Sequence, residues 1–299
     1  MKKVISLLGY VLMVYSSAAY SNERQALQFI SYCEYEINVT KNYEQAGKVC
    51  RRVSQNVKNL LGPSQLYLRS IINEAELEWI QGKYPDAFYL YTEAADVAEV
   101  LNDQAQLKNL RVRQADAEMF RGKSVDAEIL MRDALRRQQA SVPKDVLQEA
   151  DLLSKHADIL VALGQPRAAM QGYLSAFEKL DLERTDHRPV LLRTQLHYAE
   201  LFERQSRYVG AMASYHRLSD TASAMPESIE YMAIALRRMG WISESLGNTG
   251  DARGFYQQFL KLVENDSSRV AEVVEIRMLL SKLDSDEVKI SQPKPSAPN

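Results

Sequence analysis

The side chains in this sequence that could do chemistry are few. His197 and Glu200 stand one helical turn apart, with His216 further along, and together they would offer a metal imidazole and carboxylate ligands. Two histidines on separate helices with no further evident ligand do not make a metal centre, so no metal is expected. His156 adjoins Ala157 and reads as a packed side chain, and His187 lies in a loop beside Pro189. Glu76 and Asp116 are the carboxylates at which hydrolysis of a cell-wall or peptide substrate would be sought. The sequence has no glycine-rich phosphate loop, no nucleophile elbow and no His-Glu-x-x-His. The expectation is a protein that is not an enzyme, with no catalytic residue and no cofactor; a hydrolase on a helical scaffold is the alternative.

What positions these residues is a repeat. Ala46, Ala87, Ala127, Ala169, Ala211 and Ala252 recur at intervals of 40 to 42 residues, by subtraction of their positions. Twelve residues before each stand Glu34, Ala75, Ala115, Ala157, Ala199 and Gly240, small in every case but the first, as a close helix crossing requires. Four after each stand Cys50, Tyr91, Met131, Tyr173, Tyr215 and Tyr256, on the same helix face as the alanine. The pattern predicts an all-α solenoid of six helix-turn-helix units. The pairs are 22–38 with 43–60, 64–80 with 86–101, and 103–120 with a partner ending at 140. They continue as 144–163 with a partner ending near 182, one from 189 to 224, and one from 226 to 264. A helix over 268–283 would cap the last apolar face.

Cys33 falls near the crossing in the first helix, and Cys50 takes the large position opposite it. An antiparallel hairpin sets these sites face to face, which predicts a Cys33–Cys50 disulfide. Without Cys-x-x-Cys spacing the pair is not a redox centre.

The first helices of successive units should line a concave face. That face should carry Tyr32, Tyr35, Arg69, Asn73, Glu76, Trp79, Asn109, Arg113 and Asp116, and continue through Lys155, Asp158, Arg193, His197, Glu200, Arg237, Arg238 and Trp241. Arginine and asparagine can grip a peptide main chain or carboxylate, while Trp and Tyr supply rigid anchors.

The segments Gln81-Gly82-Lys83-Tyr84-Pro85-Asp86-Ala87 and Leu246-Gly247-Asn248-Thr249-Gly250-Asp251-Ala252, with the pair Met239-Gly240, resemble the tetratricopeptide repeat. The resemblance covers about Glu23 to Leu283. The family's usual period is about 34 residues; here each helix is longer by about one turn, similar to the kinesin light chain type. The resemblance implies a binding module for a protein or peptide partner of unknown identity. Arg69, Asn73, Asn109 and Arg113 look like that family's carboxylate clamp, although Ser31 and Tyr35 stand where a clamp would place lysine and asparagine.

Hydrophobic residues make up 46% and charged residues 25% of the 299, with a net charge of -2, so a packed core is expected and a nucleic-acid partner is not. Met1-Lys2-Lys3, the apolar run Val4–Tyr15 and the small residues to Ser21 read as a signal peptide over 1–21, cleaved after Ala19 or Ser21. The expected location is the periplasm, or alternatively outside the cell, within a bacterial-type envelope or secretion assembly. No membrane span is expected in the mature chain. The helical domain is expected over 22–284 and a disordered, proline-rich tail over 285–299. Insertion of that tail into a second copy's groove, giving a homo-oligomer, is a further alternative.

Overall fold

The structure, a computed structural model, describes residues 21–225 and 228–291. Their regular structure is entirely helical. Helix α1 covers residues 21–35 and is followed by α2 (Tyr43–Leu61), α3 (Gln65–Ile80), α4 (Tyr84–Val100), α5 (Gln104–Phe120), α6 (Ser124–Ala140) and α7 (Val146–Ala162). Then come α8 (Pro166–Phe177), α9 (Arg188–Arg204), α10 (Tyr208–Ser223), α11 (Ile229–Ser245), α12 (Thr249–Leu262) and α13 (Val270–Ser291). The order is that of an α-solenoid of six helical hairpins and a capping helix. The chain falls into two compact units that divide between Gln165 and Pro166.

Local signals explain where the helices start and stop. The side chains of Asn42, Ser64, Asp103 and Asp145 accept the backbone N–H three residues on, which satisfies donors that the first turn leaves orphaned. Each hairpin turn from the second unit of the repeat onward ends its first helix the same way. The N–H groups of Lys83, Lys123, Gln165, Arg207 and Asn248 donate to the carbonyls of Glu78, Glu118, Leu160, Phe202 and Ser243, five residues back. That closure needs a left-handed residue, supplied by glycine in most turns but by Ser206, at φ 54°, between α9 and α10.

In the first unit the core is built from Ala46, Ala87 and Ala127 with Cys50, Tyr91 and Met131 behind them, all fully buried. The expected cross-link is present: Cys33 and Cys50 are disulfide-bonded, with Cα atoms 4.9 Å apart. In the second unit Ala211 and Ala252 play the same part with Tyr215, Tyr256 and Phe259. Gly240 is the close crossing here, since a Cβ at that position would lie 2.4 Å from the Tyr256 ring. Ile276 and Leu283 of α13 close this core, each side chain's burial being worth roughly 1.5–3 kcal/mol.

Three boundaries differ from expectation. Helix α1 gives way to a π-helical turn, Glu36–Thr40, where the Thr40 hydroxyl donates to the Glu36 carbonyl. Helix α8 ends at Phe177 instead of near Leu182, because the chain turns to let the Asp181 N–H donate to Nδ1 of His187, a buried side chain that plugs the loop. Helix α13 runs past residue 284 to Ser291, since the first residue that forbids helix is Pro293. Residues 1–20 of the expected signal segment and 292–299 of the expected tail lie outside the described residues, as does Pro226.

Candidate binding face

Helices α1, α3 and α5 present their polar faces in register in the first unit. Arg69 on α3 donates from Nε and Nη2 to the two carboxylate oxygens of Glu34 on α1, at 2.8 and 2.7 Å. The Asn73 side-chain amide donates to the same carboxylate at 3.0 Å. One repeat on, Arg113 of α5 grips Glu76 of α3 in the same forked manner, at 3.0 and 3.1 Å. A two-point guanidinium–carboxylate pair is the strong, oriented form of such contacts. The guanidinium groups of this face are thus closed on the chain's own carboxylates.

Several other expected residues have partners of their own. Gln148 donates to Asn109 at 3.1 Å, and Lys155 pairs with Asp151 at 3.4 Å on α7. Asp116, Asp158, Arg193 and His197 are likewise engaged. Tyr35 and Tyr32 remain half exposed on α1. The Glu36 carboxylate accepts from the Tyr32 phenol and raises its pKa.

Trp79 is placed differently. Its ring packs edge-on against Tyr84 and Phe120, each 5.1 Å away, and those two rings stack at 4.4 Å. Trp79 thus belongs to an aromatic cluster at the hairpin turns, one helical turn beyond Glu76, instead of serving as an anchor beside Arg113. In the second unit Arg238 pairs with Glu203 at 3.2 Å, Arg237 with Glu272 at 3.6 Å, and Trp241 contacts Tyr208 edge-on at 6.1 Å. The Tyr215 phenol also donates to Glu203, at 2.6 Å, and burial followed by that bond drives its pKa up. His216 packs edge-on against Phe255, 5.6 Å away. Among the described residues no three His, Cys, Asp or Glu side chains converge as metal ligands, and no helix is long and apolar enough to cross a membrane.

Sequence reasoning missed Glu34. Its only signal was being the one charged residue in the column of small crossing residues.

Neither a family model nor a curated protein matches this sequence. Solved structures match it over most of its length. The apo form of the quorum sensor NprR from B. thuringiensis superposes with a TM-score of 0.65 at 16% identity, covering 86% of this chain and 70% of that one. The C-terminal part of a TPR repeat-containing protein from Cytophaga hutchinsonii gives 0.56 at 14%, covering 87% and 90%. A Podosopora anserina putative kinesin light chain with nearly identical TPR-like repeats gives 0.54 at 14%, covering 67% and 97%. The chain has a tetratricopeptide-like fold.

On this tetratricopeptide-like fold a second polar feature lies away from the forked pairs. A cavity of about 490 Å³ between α2, α3 and α4 is lined by Lys48, Arg51, Lys58, Tyr67, Glu74 and Glu93 among others. Its cations are largely neutralised from within, Arg51 by Glu74 and Glu78 and Lys58 by Glu93. Burial, then the Glu93 hydrogen bond, pushes the Tyr67 phenol up to about 12. Burial also raises the Glu74 carboxyl, against the pull of Ser54 and Arg51.

Proposed function

We propose that this chain is an exported, non-catalytic scaffold of an envelope or secretion assembly, binding an acidic protein or peptide segment along the faces of its first helices. The observation that carries the reading is the Arg69–Asn73 fork closed on the Glu34 carboxylate, repeated one hairpin later by Arg113 on Glu76. A fork that orients one carboxylate is formed before any partner arrives, and a partner's Asp or Glu competes with Glu34 for it. Exchange of one half-exposed pair for another costs little, because such pairs contribute only about 0–1 kcal/mol. Recognition roles among the structural neighbours agree with this reading: NprR is a quorum sensor, and PH0952 from Pyrococcus horikoshii carries a tetratricopeptide repeat sensor.

The test is crosslinking and mass spectrometry on the mature chain in its own extracytoplasmic fraction. Wild type should capture a partner, Asn73→Ala/Arg113→Ala should lose it, and Glu34→Gln, which removes the internal competitor, should retain more of it. Capture that ignores the double variant would move the site off this face. No capture by any of the three would end the scaffold reading.

A further inference from the structure

The second unit contains an open groove of about 400 Å³ between α10, the C-terminal end of α11 and the start of α12. Tyr208, Met212 and Leu246 give it an apolar wall that is partly exposed to water. Phe255 lies behind, braced by the His216 ring 5.6 Å away. No lysine or arginine lines the groove. Asp251 does, exposed and in no ion pair or hydrogen bond among the described residues.

The same place in the first unit is filled by the chain itself. Aligning Ala211 with Ala87 and Ala252 with Ala127 sets Met212 and Ala213 on Phe88 and Tyr89, and Ser243, Leu246, Asn248 and Asp251 on Glu118, Arg121, Lys123 and Asp126. In the first unit the Arg121 guanidinium lies over the Phe88 and Tyr89 rings, 4.9 and 5.8 Å from their centroids. Glu118 holds it there at 2.8 Å, and Lys123 stands 3.9 Å from Asp126. In the second unit leucine replaces that arginine, alanine the tyrosine, serine the glutamate and asparagine the lysine, while the aspartate is kept. The groove is therefore the space that an arginine takes up one unit earlier, with a carboxylate at its edge that has lost its cation.

The chemistry of the occupant follows from that comparison. With His216 neutral, Asp251 carries the only formal charge in the lining, so a cation is favoured. A guanidinium is planar and weakly hydrated and meets a carboxylate at two points, and its aliphatic stem covers apolar surface. The ammonium of lysine is compact and strongly hydrated, and it suits an apolar wall less well. We propose that this groove docks an arginine side chain of a partner protein, with the stem along Met212 and Leu246 and the guanidinium on the Asp251 carboxylate. The proposal is independent of the scaffold reading, which concerns acidic segments on the first helices.

The test is a titration of the full chain followed by NMR, with capped Leu-Arg-Leu as the probe and the same peptide carrying citrulline or lysine at its centre. The arginine peptide should shift the signals of Met212, Leu246 and Asp251 saturably. Citrulline keeps the shape without the charge and should bind about tenfold more weakly, as the loss of one charge-assisted contact implies. Asp251→Asn should bring the arginine peptide down to the citrulline value. Leu246→Arg should give the groove a guanidinium of its own, as Arg121 does in the first unit, and abolish binding. Leu246 is half exposed, so this change leaves the fold intact, which an unaltered Tm confirms, and Asp251→Asn carries the test if it does not. Citrulline binding as tightly as arginine would overturn the charge assignment, and lysine binding as tightly would overturn the choice of arginine. Binding that survives Leu246→Arg, or no saturable shift with any probe up to about 10 mM, would overturn the site.

Discussion

Gly240 is the residue on which the last helix crossing turns. An alanine Cβ there would meet Tyr256 at 2.4 and 2.6 Å, and that ring is fully buried with its hydroxyl bonded to Glu244 at 3.2 Å. The ring has no free direction to yield, so Gly240→Ala should destabilise the chain by about 1–3 kcal/mol. Gly254→Ala in α12, where a Cβ meets nothing within 4 Å, should instead stabilise it by about 0.5–1 kcal/mol. Urea unfolding of both variants decides the matter, and equal midpoints would show that the Tyr256 ring moves aside. Glu74 makes the second test at this scale. Burial raises its carboxyl above the ordinary 4.5, so the folded chain holds more protons than the unfolded chain above that value. The group's stability is then full below 4.5 and lost as pH rises through the folded value. Glu74→Gln removes the titration, so its Tm relative to wild type should be more favourable at about pH 7 than at about pH 4. The same Tm difference at both values would mean that Ser54 and Arg51 cancel the burial. Residues of the crossing were legible in the sequence because backbone approach permits only small side chains there. Glu34 was not, because its role is a relation to Arg69, 35 positions away.

At the scale of elements, the hairpin turns decide how far the sequence can be read. Glycine marks four of the repeated closures, and the period alone places the fifth, where Ser206 adopts the same left-handed conformation at φ 54°. That conformation costs a non-glycine residue roughly 1–2 kcal/mol, offset in part by the greater unfolded freedom of glycine. Ser206→Gly should therefore raise stability by about 0.5–1 kcal/mol, read as a shift in the unfolding midpoint. A loss of stability would show that the α9–α10 turn depends on the serine side chain. Helix α8 was misjudged by five residues because its end is set by His187 accepting from the Asp181 N–H, a contact between loop residues that periodicity does not carry. Trp79 shows the same limit. Spacing assigned it to a helix and a turn, but its direction toward Tyr84 and Phe120 depends on which neighbours the hairpin brings beside it.

For the molecule as a whole, the α1–α2 hairpin packs on α3 among the described residues, and in a nearest-neighbour architecture its stability rests on its own contacts and that interface. The Cys33–Cys50 bond sits there, buried and closing a separation of 17 residues, which in the chain-entropy account stabilises by about 3 kcal/mol. Such a bond persists in an oxidising compartment, so the staple and the export reading of residues 1–21 make one joint prediction. The full-length chain should be recovered outside the cytoplasm, beginning at Tyr20 or Asn22, with both thiols protected from alkylation after denaturation. A version starting at Asn22 and kept in the cytosol should expose two reactive thiols on denaturation and unfold at lower urea. Intact mass reports cleavage and alkylation separately, so the two readings can fail separately. Cleavage with free thiols would remove the staple while leaving export, and protected thiols on an uncleaved, cytosolic chain would remove export while leaving the staple. If both hold, reduction should loosen α1 first, and with it Glu34, the carboxylate that occupies the Arg69–Asn73 fork. Redox state would then set how readily that fork accepts a partner's carboxylate, and hydrogen exchange in α1 before and after reduction would measure the coupling.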